Sequence, residues 1–194
     1  MSKTYANLKA DIASWTHRDD LTSQIATFTY LAEQDIYRSH ANSLRVREME
    51  TEATITITSG IGPLPTDFLQ ARYLRIVGNP DKTYKWMPPQ DWTVFQDGFF
   101  TVIGSDIHLP NSATGVCKLV YCAMPAALAS DADTNTILTN YYAAYLYAAL
   151  KQAYIFVRNG EEAMRYTAML DNELAMANQH NRQTVAGPLV VRAE

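Results

Sequence analysis

A tyrosine-rich and almost uncharged run at residues 137–157 constrains the fold more than any other segment. Its 21 residues hold one charge, Lys151, and include five tyrosines, at positions 141, 142, 145, 147 and 154. About 20 apolar residues can cross a bilayer, but a spanning helix concentrates tyrosine at its two ends. Lys151 would lie inside the hydrocarbon at a cost of about 2.5–3.5 kcal/mol. We therefore expect a helix that protein buries on most sides, and no membrane span.

The composition indicates an ordinary soluble globular protein, with 194 residues, 47% of them hydrophobic and 19% charged. A net charge of −4 argues against a general nucleic-acid binder, which usually has a clustered basic surface. The first residues contain no uninterrupted apolar stretch, so we expect no signal peptide. Cys117 and Cys122 are five residues apart on a predicted strand, which places them on opposite faces and predicts no disulfide and a reduced cytoplasmic origin.

The order of the patterns predicts an α+β fold that is mainly α. Apolar residues at helical spacing predict helices at about 4–16, 22–40, 136–158 and 161–181. Between the two helix pairs, a β region at about 45–122 contains alternating segments at 48–58, 70–77, 83–87, 99–103, 106–109 and 116–122. We expect a core like a four-helix bundle with a small antiparallel β insertion. Residues 1–182 would form a single domain and 183–194 an extended C-terminal arm.

Motifs that carry chemistry are missing from the sequence. The four histidines are scattered, and there is no metal-ligand spacing, nucleophile elbow or phosphate-binding loop. We therefore predict a protein that is not an enzyme, with no catalytic residue, cofactor or metal. Two alternatives remain at this point: a small-ligand-binding protein or enzyme of unassigned class, and a membrane-associated protein.

Three stretches together resemble the phage adaptor proteins, also called head-to-tail connector or head-completion proteins. They are LPTDFLQARYLRIVG (64–78), FFTVIGSDIHLP (99–110) and LYAALKQAYIFV (146–157). The resemblance covers nearly the whole chain: an opening helix pair, a β insertion introduced by Leu64-Pro65-x-Asp67-Phe68-Leu69, and a long C-terminal helix pair. These motifs are structural rather than catalytic, and their order carries the resemblance.

The resemblance implies a structural virion protein in the neck, between capsid portal and tail, made in the host cytoplasm. Such a protein would bind the phage portal protein after DNA packaging as a multi-subunit ring of itself, expected to be twelve-fold. It would give the tail or nozzle protein a surface for attachment, and double-stranded DNA would pass through without specific binding. In a closed ring each copy meets two neighbours through heterologous contacts.

This role suggests three sets of candidate residues. Candidates for the contact between subunits lie on the tyrosine-rich helix: Tyr142, Tyr145, Tyr147, Lys151, Tyr154 and Arg158. Candidates for docking onto the portal or a neighbouring subunit lie in the arm: Pro188, Leu189, Val190, Val191 and Arg192. Candidates for lining the DNA channel lie on one face of a predicted strand, where like charge would repel phosphates: Glu48, Glu50 and Glu52. A solvated strand face is the alternative interpretation of the glutamates.

Overall fold

The chain divides into two compact units in a computed structural model that describes residues 3–38, 42–77, 83–93, 97–110 and 113–186. The helical unit combines Met1–Glu48 with Pro125–Glu194, and the β unit is Met49–Met124. The β unit is therefore inserted into the sequence of the helical unit.

The helical unit contains five α-helices within the described residues: α1 (Tyr5–Thr16), α2 (Ile25–Arg38), α3 (Thr136–Asn140), α4 (Tyr142–Phe156) and α5 (Gly160–Ala186). A 3-10 helix at Asp19–Gln24 connects α1 to α2. Thr4 and Asn7 form a capping box at the start of α1. The backbone N–H of Tyr5 donates to the Asp133 carbonyl at 2.8 Å, so the loop before α3 accepts a hydrogen bond from an N–H group that has no partner within α1.

Helix α4 contains most of the tyrosine-rich run and is buried over much of its surface. Its buried residues are Ala144, Tyr145, Leu146, Ala148, Ala149, Leu150 and Ala153. The helix packs against α1, α2 and α5, and its alanines allow these neighbours to approach closely. Tyr141 has φ −126° and ψ 45°, which interrupts the run and separates α3 from α4. Helices of the same chain therefore supply much of the burial that the sequence requires.

Two asparagines of α5 hold the segment 43–47, which leads from α2 towards the β unit. Asn178 accepts a hydrogen bond from the Arg45 N–H at 2.9 Å and donates one to the Ser43 carbonyl at 3.1 Å. Asn181 accepts from the Arg47 N–H and donates to the Arg45 carbonyl, both at 3.0 Å. Positions 178 and 181 are three residues apart, so both amides lie on one side of α5. The two amides thus make hydrogen bonds to backbone N–H and C=O groups of segment 43–47, as a neighbouring strand would do in a sheet.

The described strands of the β unit are β1 (Glu50–Ile57), β2 (Ile61–Pro63), β3 (Phe68–Ile76), β4 (Thr83–Trp86), β5 (Phe99–Ile103), β6 (Asp106–His108) and β7 (Gly115–Ala123). They form one seven-stranded sheet in the order β1-β7-β3-β4-β5-β6-β2. Neighbouring strands are antiparallel except β4 and β5, which are parallel. The long connection at 87–98 makes a parallel crossover possible.

A tight hairpin joins β1 to β2 and brings the two ends of the sheet together in a nearly closed barrel. Its central residues, Ser59 (φ 52°) and Gly60 (φ 84°), both have positive φ, which suits a two-residue hairpin turn. Position 62, just after the turn, requires glycine because there is no room for a side chain. A Cβ there would lie 2.4 Å from Ile57 Cδ1 and 2.9 Å from the Thr56 carbonyl oxygen.

The barrel has its own hydrophobic core. Its buried members are Ile55, Ile57, Leu74, Tyr84, Phe100, Ile107, Leu109, Cys117, Leu119 and Tyr121. Cys117 and Cys122 are both buried, and neither is joined in a disulfide. A core of this size shows that the strands bury one another's inner faces within the β unit.

The predicted fold class is therefore wrong. The chain is not a four-helix bundle with a small antiparallel β insertion, because the β unit is a seven-stranded mixed sheet that forms a nearly closed barrel. Strand β2 was not predicted because Gly60, Gly62 and Pro63 resemble a break in regular structure. In the fold, the positive φ values at the turn reverse the chain into a paired strand. The parallel pair was missed because alternation along a strand does not identify the strand beside it.

Candidate interaction surfaces

Tyr145, one of the six predicted contact residues, lies in the interior of the helical unit with 0% of its surface exposed. Its hydroxyl is 2.8 Å from the Tyr37 hydroxyl, accepts from Asn135 Nδ2 at 3.1 Å and donates to Glu33 at 3.4 Å. Glu33 also accepts the N–H of Leu128, and burial raises the pKa of its carboxyl. Tyr145 thus offers no surface to another subunit and connects α2 and α4 to the loop before α3.

Tyr147 and Tyr154 are half-buried and pack against aromatic rings of their own chain. Tyr154 stacks on Tyr166 of α5, with ring centroids 5.4 Å apart and an interplanar angle of 6°. The Tyr147 ring lies 6.3 Å from Tyr166 and 6.5 Å from Trp15, which is 43% exposed. We call Trp15, Tyr147 and Tyr154 the aromatic edge. Its rings join α4 to α1 and α5 and leave part of their surface open.

The other three predicted contact residues differ in accessibility. The Tyr142 hydroxyl donates a short hydrogen bond to Asp11 on α1, and burial raises the pKa of this phenol. Lys151 Nζ lies 2.9 Å from Asp35 Oδ2 on α2. Arg158 is exposed and has a left-handed backbone with φ 59° just beyond the end of α4. Of the six predicted residues, Arg158 is therefore the most open to a partner.

An exposed apolar patch, which is not among the predicted contact residues, is formed where α2 and α4 meet. We call it the apolar seam and define it as Leu31, Ile155 and Phe156, which are 39%, 52% and 56% exposed. The ring centroids of Phe156 and Phe28 are 5.5 Å apart, and Phe28 is buried, so the patch is continuous with the interior of the unit. No sequence signal separates Ile155 and Phe156 from the buried side chains of α4, because α4 is apolar on most of its circumference.

The antiparallel arrangement of α2 and α4 places the seam beside an ion pair. Leu31 precedes Asp35 by one helical turn, and Ile155 follows Lys151 by one turn. Since Asp35 and Lys151 are bonded to each other, Leu31 and Ile155 lie on the same side of the helix pair. An apolar strip next to a charged pair combines the two kinds of surface found in protein interfaces.

Glu50 and Glu52, two of the predicted channel-lining residues, are paired with cations on the outer face of the sheet. Glu50 accepts from Arg72 Nε at 2.9 Å. Glu52 lies 3.2 Å from Arg75 and 2.6 Å from Lys118 Nζ, and the Lys118 hydrogen bond holds the pKa of Glu52 below its usual value. These five groups make a mixed-charge face rather than an acidic one. These cations could not be predicted from the pattern of β1, because they come from β3 and β7.

Glu48, the third channel candidate, lies in a 3-10 helix at Arg47–Met49, before β1 begins. Its carboxylate is 3.5 Å from the Tyr141 hydroxyl. Glu48 therefore does not continue the strand face of Glu50 and Glu52. Whether the three glutamates line a channel stays a prediction.

The predicted arm from Gln183 extends beyond the part of the chain that the structure describes. Helix α5 is described as far as Ala186. The candidate docking residues Pro188, Leu189, Val190, Val191 and Arg192 all lie outside the described residues.

The described residues give no sign of a metal site or of a membrane-spanning helix. They contain no cluster of three or more histidine, cysteine or acidic side chains that could hold a metal ion. None of their helices combines the length and the apolar character that a bilayer span demands.

The chain consists of a helical unit and a nearly closed β-barrel. The surfaces described above are made of aromatic, apolar and paired charged side chains. The family model described as SU10 adaptor protein matches residues 3–192, which include both units. The chain therefore belongs to the SU10 adaptor protein family, and the predicted resemblance to phage adaptor proteins is confirmed. It is a structural protein of bacteriophages and a virion component that interacts with other virion proteins. No curated protein matches the chain significantly.

Proposed function

We propose that this adaptor forms a multi-subunit ring, expected to be twelve-fold, which binds the portal ring in the neck of the virion after DNA packaging. The ring provides the surface to which the tail or nozzle protein attaches, and DNA passes through it without specific binding. The observation that carries the proposal is the family match over residues 3–192, because it spans both the helical and the β unit.

The apolar seam supports the self-assembly part of this proposal. A closed ring needs two different surfaces on each subunit, one meeting the neighbour on each side. Leu31, Ile155 and Phe156 form an exposed apolar strip of the kind that is buried at the centre of interfaces. We assign the seam to one side of the subunit contact.

The aromatic edge is a candidate for the opposite side. Trp15 is 43% exposed, and aromatic side chains contribute large rigid contact areas at interfaces. Arg158, at the end of α4, would pair with an acidic group at the rim of a neighbour. Glu48, Glu50 and Glu52 remain candidates for the channel wall, and a map of the assembled ring would test that assignment.

Native mass spectrometry of the purified chain, alone and mixed with the portal protein of the same phage, tests the proposal. A ring of twelve copies of the 21.8 kDa chain has twelve times that mass, about 262 kDa. We expect the chain to join the portal ring at one copy per portal subunit. A chain that stays at a single small mass in both samples would contradict the proposal.

A pair of matched variants tests the seam within the same experiment. Ile155→Glu places a charge in the seam and should reduce assembly while leaving the melting temperature of the free chain nearly unchanged, because Ile155 is half exposed. Met176→Glu is the control, since Met176 is 50% exposed on α5 and lies outside the seam. Equal assembly of both variants would remove the seam from the interface.

A further inference from the structure

Strand β4 is too short to fill its place between β3 and β5. It pairs with β3 only at 73–75 and with β5 only at 99–100. The chain leaves the sheet at Met87, whose N–H donates its hydrogen bond to β5, and Pro88 and Pro89 follow. A proline has no N–H to donate and cannot sit in the middle of a sheet, so β4 cannot continue.

Both neighbouring strands extend past the end of β4. β3 continues at 68–72, where its other side pairs with β7, and β5 continues at 101–103, where its other side pairs with β6. Within the described ranges, neither stretch has a strand partner on the side where β4 would continue. Backbone groups of two strands therefore border the same gap. A cleft of about 270 Å³ lies there, and we call it the strand slot; it is lined by Phe68, Leu69, Gln70, Ala71, Trp86 and Val102.

The chemistry of the slot selects an extended apolar peptide. Phe68, Ala71 and Val102 pack against the core of the barrel, so the inner wall of the slot is apolar. Trp86, at the end of β4, is 46% exposed and offers an aromatic surface at the rim. A strand lying between β3 and β5 would pair with two backbone edges and place alternate side chains against the core. This is the recognition mode called β-strand addition.

We propose that the strand slot receives Leu189–Val191 from the arm of a second copy of this chain, as an additional strand between β3 and β5. The slot itself is defined by the strand pairing, whereas the choice of a second copy rests on the proposed self-assembly. Eight residues follow Ala186, the last residue described, and Leu189, Val190 and Val191 form their aliphatic part. Val is favoured in strands, and Pro188 is tolerated as the first residue of one.

The lengths of the arm and the slot agree. Leu189–Val191 and the β5 edge at 101–103 each contain three residues, which would span about 10 Å at a strand rise of about 3.3 Å per residue. An arm that enters the slot of the next copy is a heterologous contact, since donor and acceptor surfaces differ. Such contacts propagate from copy to copy around a closed ring, so the arm would fasten each subunit to its neighbour.

Hydrogen exchange tests occupancy of the slot directly. The receptor is the full-length Val190→Pro chain, whose own arm cannot pair on both sides. The probe is a synthetic peptide of residues 183–194. We expect saturating peptide to slow exchange of slot-facing amides in 68–72 and 101–103 by about tenfold or more, because opening then requires loss of the added strand. A Val190→Pro peptide should give no protection, and a Val190→Ile peptide should protect as the natural one does.

Mixing two full-length variants tests whether the arm comes from a second copy. Leu69→Glu blocks the slot and keeps the arm, whereas Val190→Pro keeps the slot and disables the arm. We expect each variant alone to be a monomer and the mixture to form a dimer in native mass spectrometry. Trp86→Ala, at the exposed rim, is a second slot variant should Leu69→Glu fold poorly. Val116→Glu is the matched control, since Val116 is 44% exposed and lies on β7, outside the cleft lining and outside both strands that border the slot.

Three results would overturn the inference. They are an absence of slot protection with the natural peptide, a mixture that stays monomeric while the unmodified chain assembles, and slot protection produced by portal protein but not by the peptide. The outcome is separate from that of the proposed function. If the chain joins the portal ring but does not bind the peptide, only the arm contact is refuted. If the chain binds the peptide but does not bind the portal, only the adaptor ring is refuted.

Discussion

The hydroxyl oxygens of Tyr37 and Tyr145 lie 2.8 Å apart in the interior of the helical unit, although 108 residues separate them in the sequence. Both side chains are 0% exposed, and their rings meet at an angle of 74°. The contact explains how a helix rich in tyrosine can be buried. The two tyrosine hydroxyls bond to each other, and that of Tyr145 also bonds to Asn135 and Glu33, so both hydroxyls have hydrogen-bond partners although they are buried.

Tyr145→Phe should lower the free energy of unfolding by about 1–3 kcal/mol, because buried partners of the lost hydroxyl remain with fewer hydrogen bonds. Chemical denaturation measures this change. Tyr147→Phe is the matched control on the same helix and should change stability by less than about 0.5 kcal/mol, since Tyr147 is half-buried and keeps its ring contacts. Equal stabilities of the two variants would show that the buried network contributes little.

Glu33 should give the helical unit a pH-dependent stability. Burial raises the pKa of its carboxyl above the ordinary value of 4.5, so the folded chain binds this proton more tightly than the unfolded chain. The free energy of unfolding should then fall as pH rises from about that value through the folded pKa. The Glu33→Gln side chain cannot titrate, so the free energy of unfolding of this variant should lack the pH-dependent contribution of Glu33. Denaturation of both chains between pH 4 and 8 tests it, and parallel profiles would contradict it.

Asn178→Ala should destabilise the chain by about 1–3 kcal/mol, since it removes two hydrogen bonds to the backbone of Ser43 and Arg45. Amide exchange at Arg45, which loses its acceptor, should speed up more than exchange in α5. Asn172→Ala is the control on the exposed side of the same helix and should be neutral or slightly stabilising, because alanine favours helix. Unchanged exchange at Arg45 would show that this amide does not hold the segment.

Gly62→Ala and Gly160→Ala should have opposite effects. The added methyl group at Gly62 would overlap Ile57 Cδ1 and crowd the Thr56 carbonyl, so we expect a loss of about 1–3 kcal/mol. At Gly160, the first residue of α5, the methyl group meets no atom within 4 Å, and alanine should stabilise by about 0.5–1 kcal/mol. Thermal unfolding measures both changes. A stabilising Gly62→Ala would contradict the close approach of β1 and β2.

The positions of most strands and the burial of α4 could be predicted from the sequence, because both depend on local periodicity. The alternation at 48–58 corresponds to β1 at Glu50–Ile57, and the segment at 116–122 to β7 at Gly115–Ala123. The barrel could not be predicted in the same way. The parallel pairing of β4 with β5 depends on the path of a connection, and β2 depends on backbone angles at Ser59 and Gly60.

The residues that contact the candidate residues could not be predicted from the sequence, for a related reason. The sequence predicts Lys151 as a residue of the contact between subunits, but only the packing of α2 against α4 brings Asp35 to it. Likewise, nothing in the pattern of α4 separates Tyr145, which is buried, from Ile155, which is exposed. Long-range packing decides these cases, and the spacing of residues along one helix does not encode it.

The most direct test of the adaptor ring is electron cryomicroscopy of this chain mixed with portal rings of the same phage. We expect a second ring stacked on the portal, with one copy of this chain per portal subunit and with Leu31, Ile155 and Phe156 buried between neighbours. Portal rings without added density would contradict the adaptor role, and a stacked ring with those three side chains facing solvent would contradict the assignment of the seam.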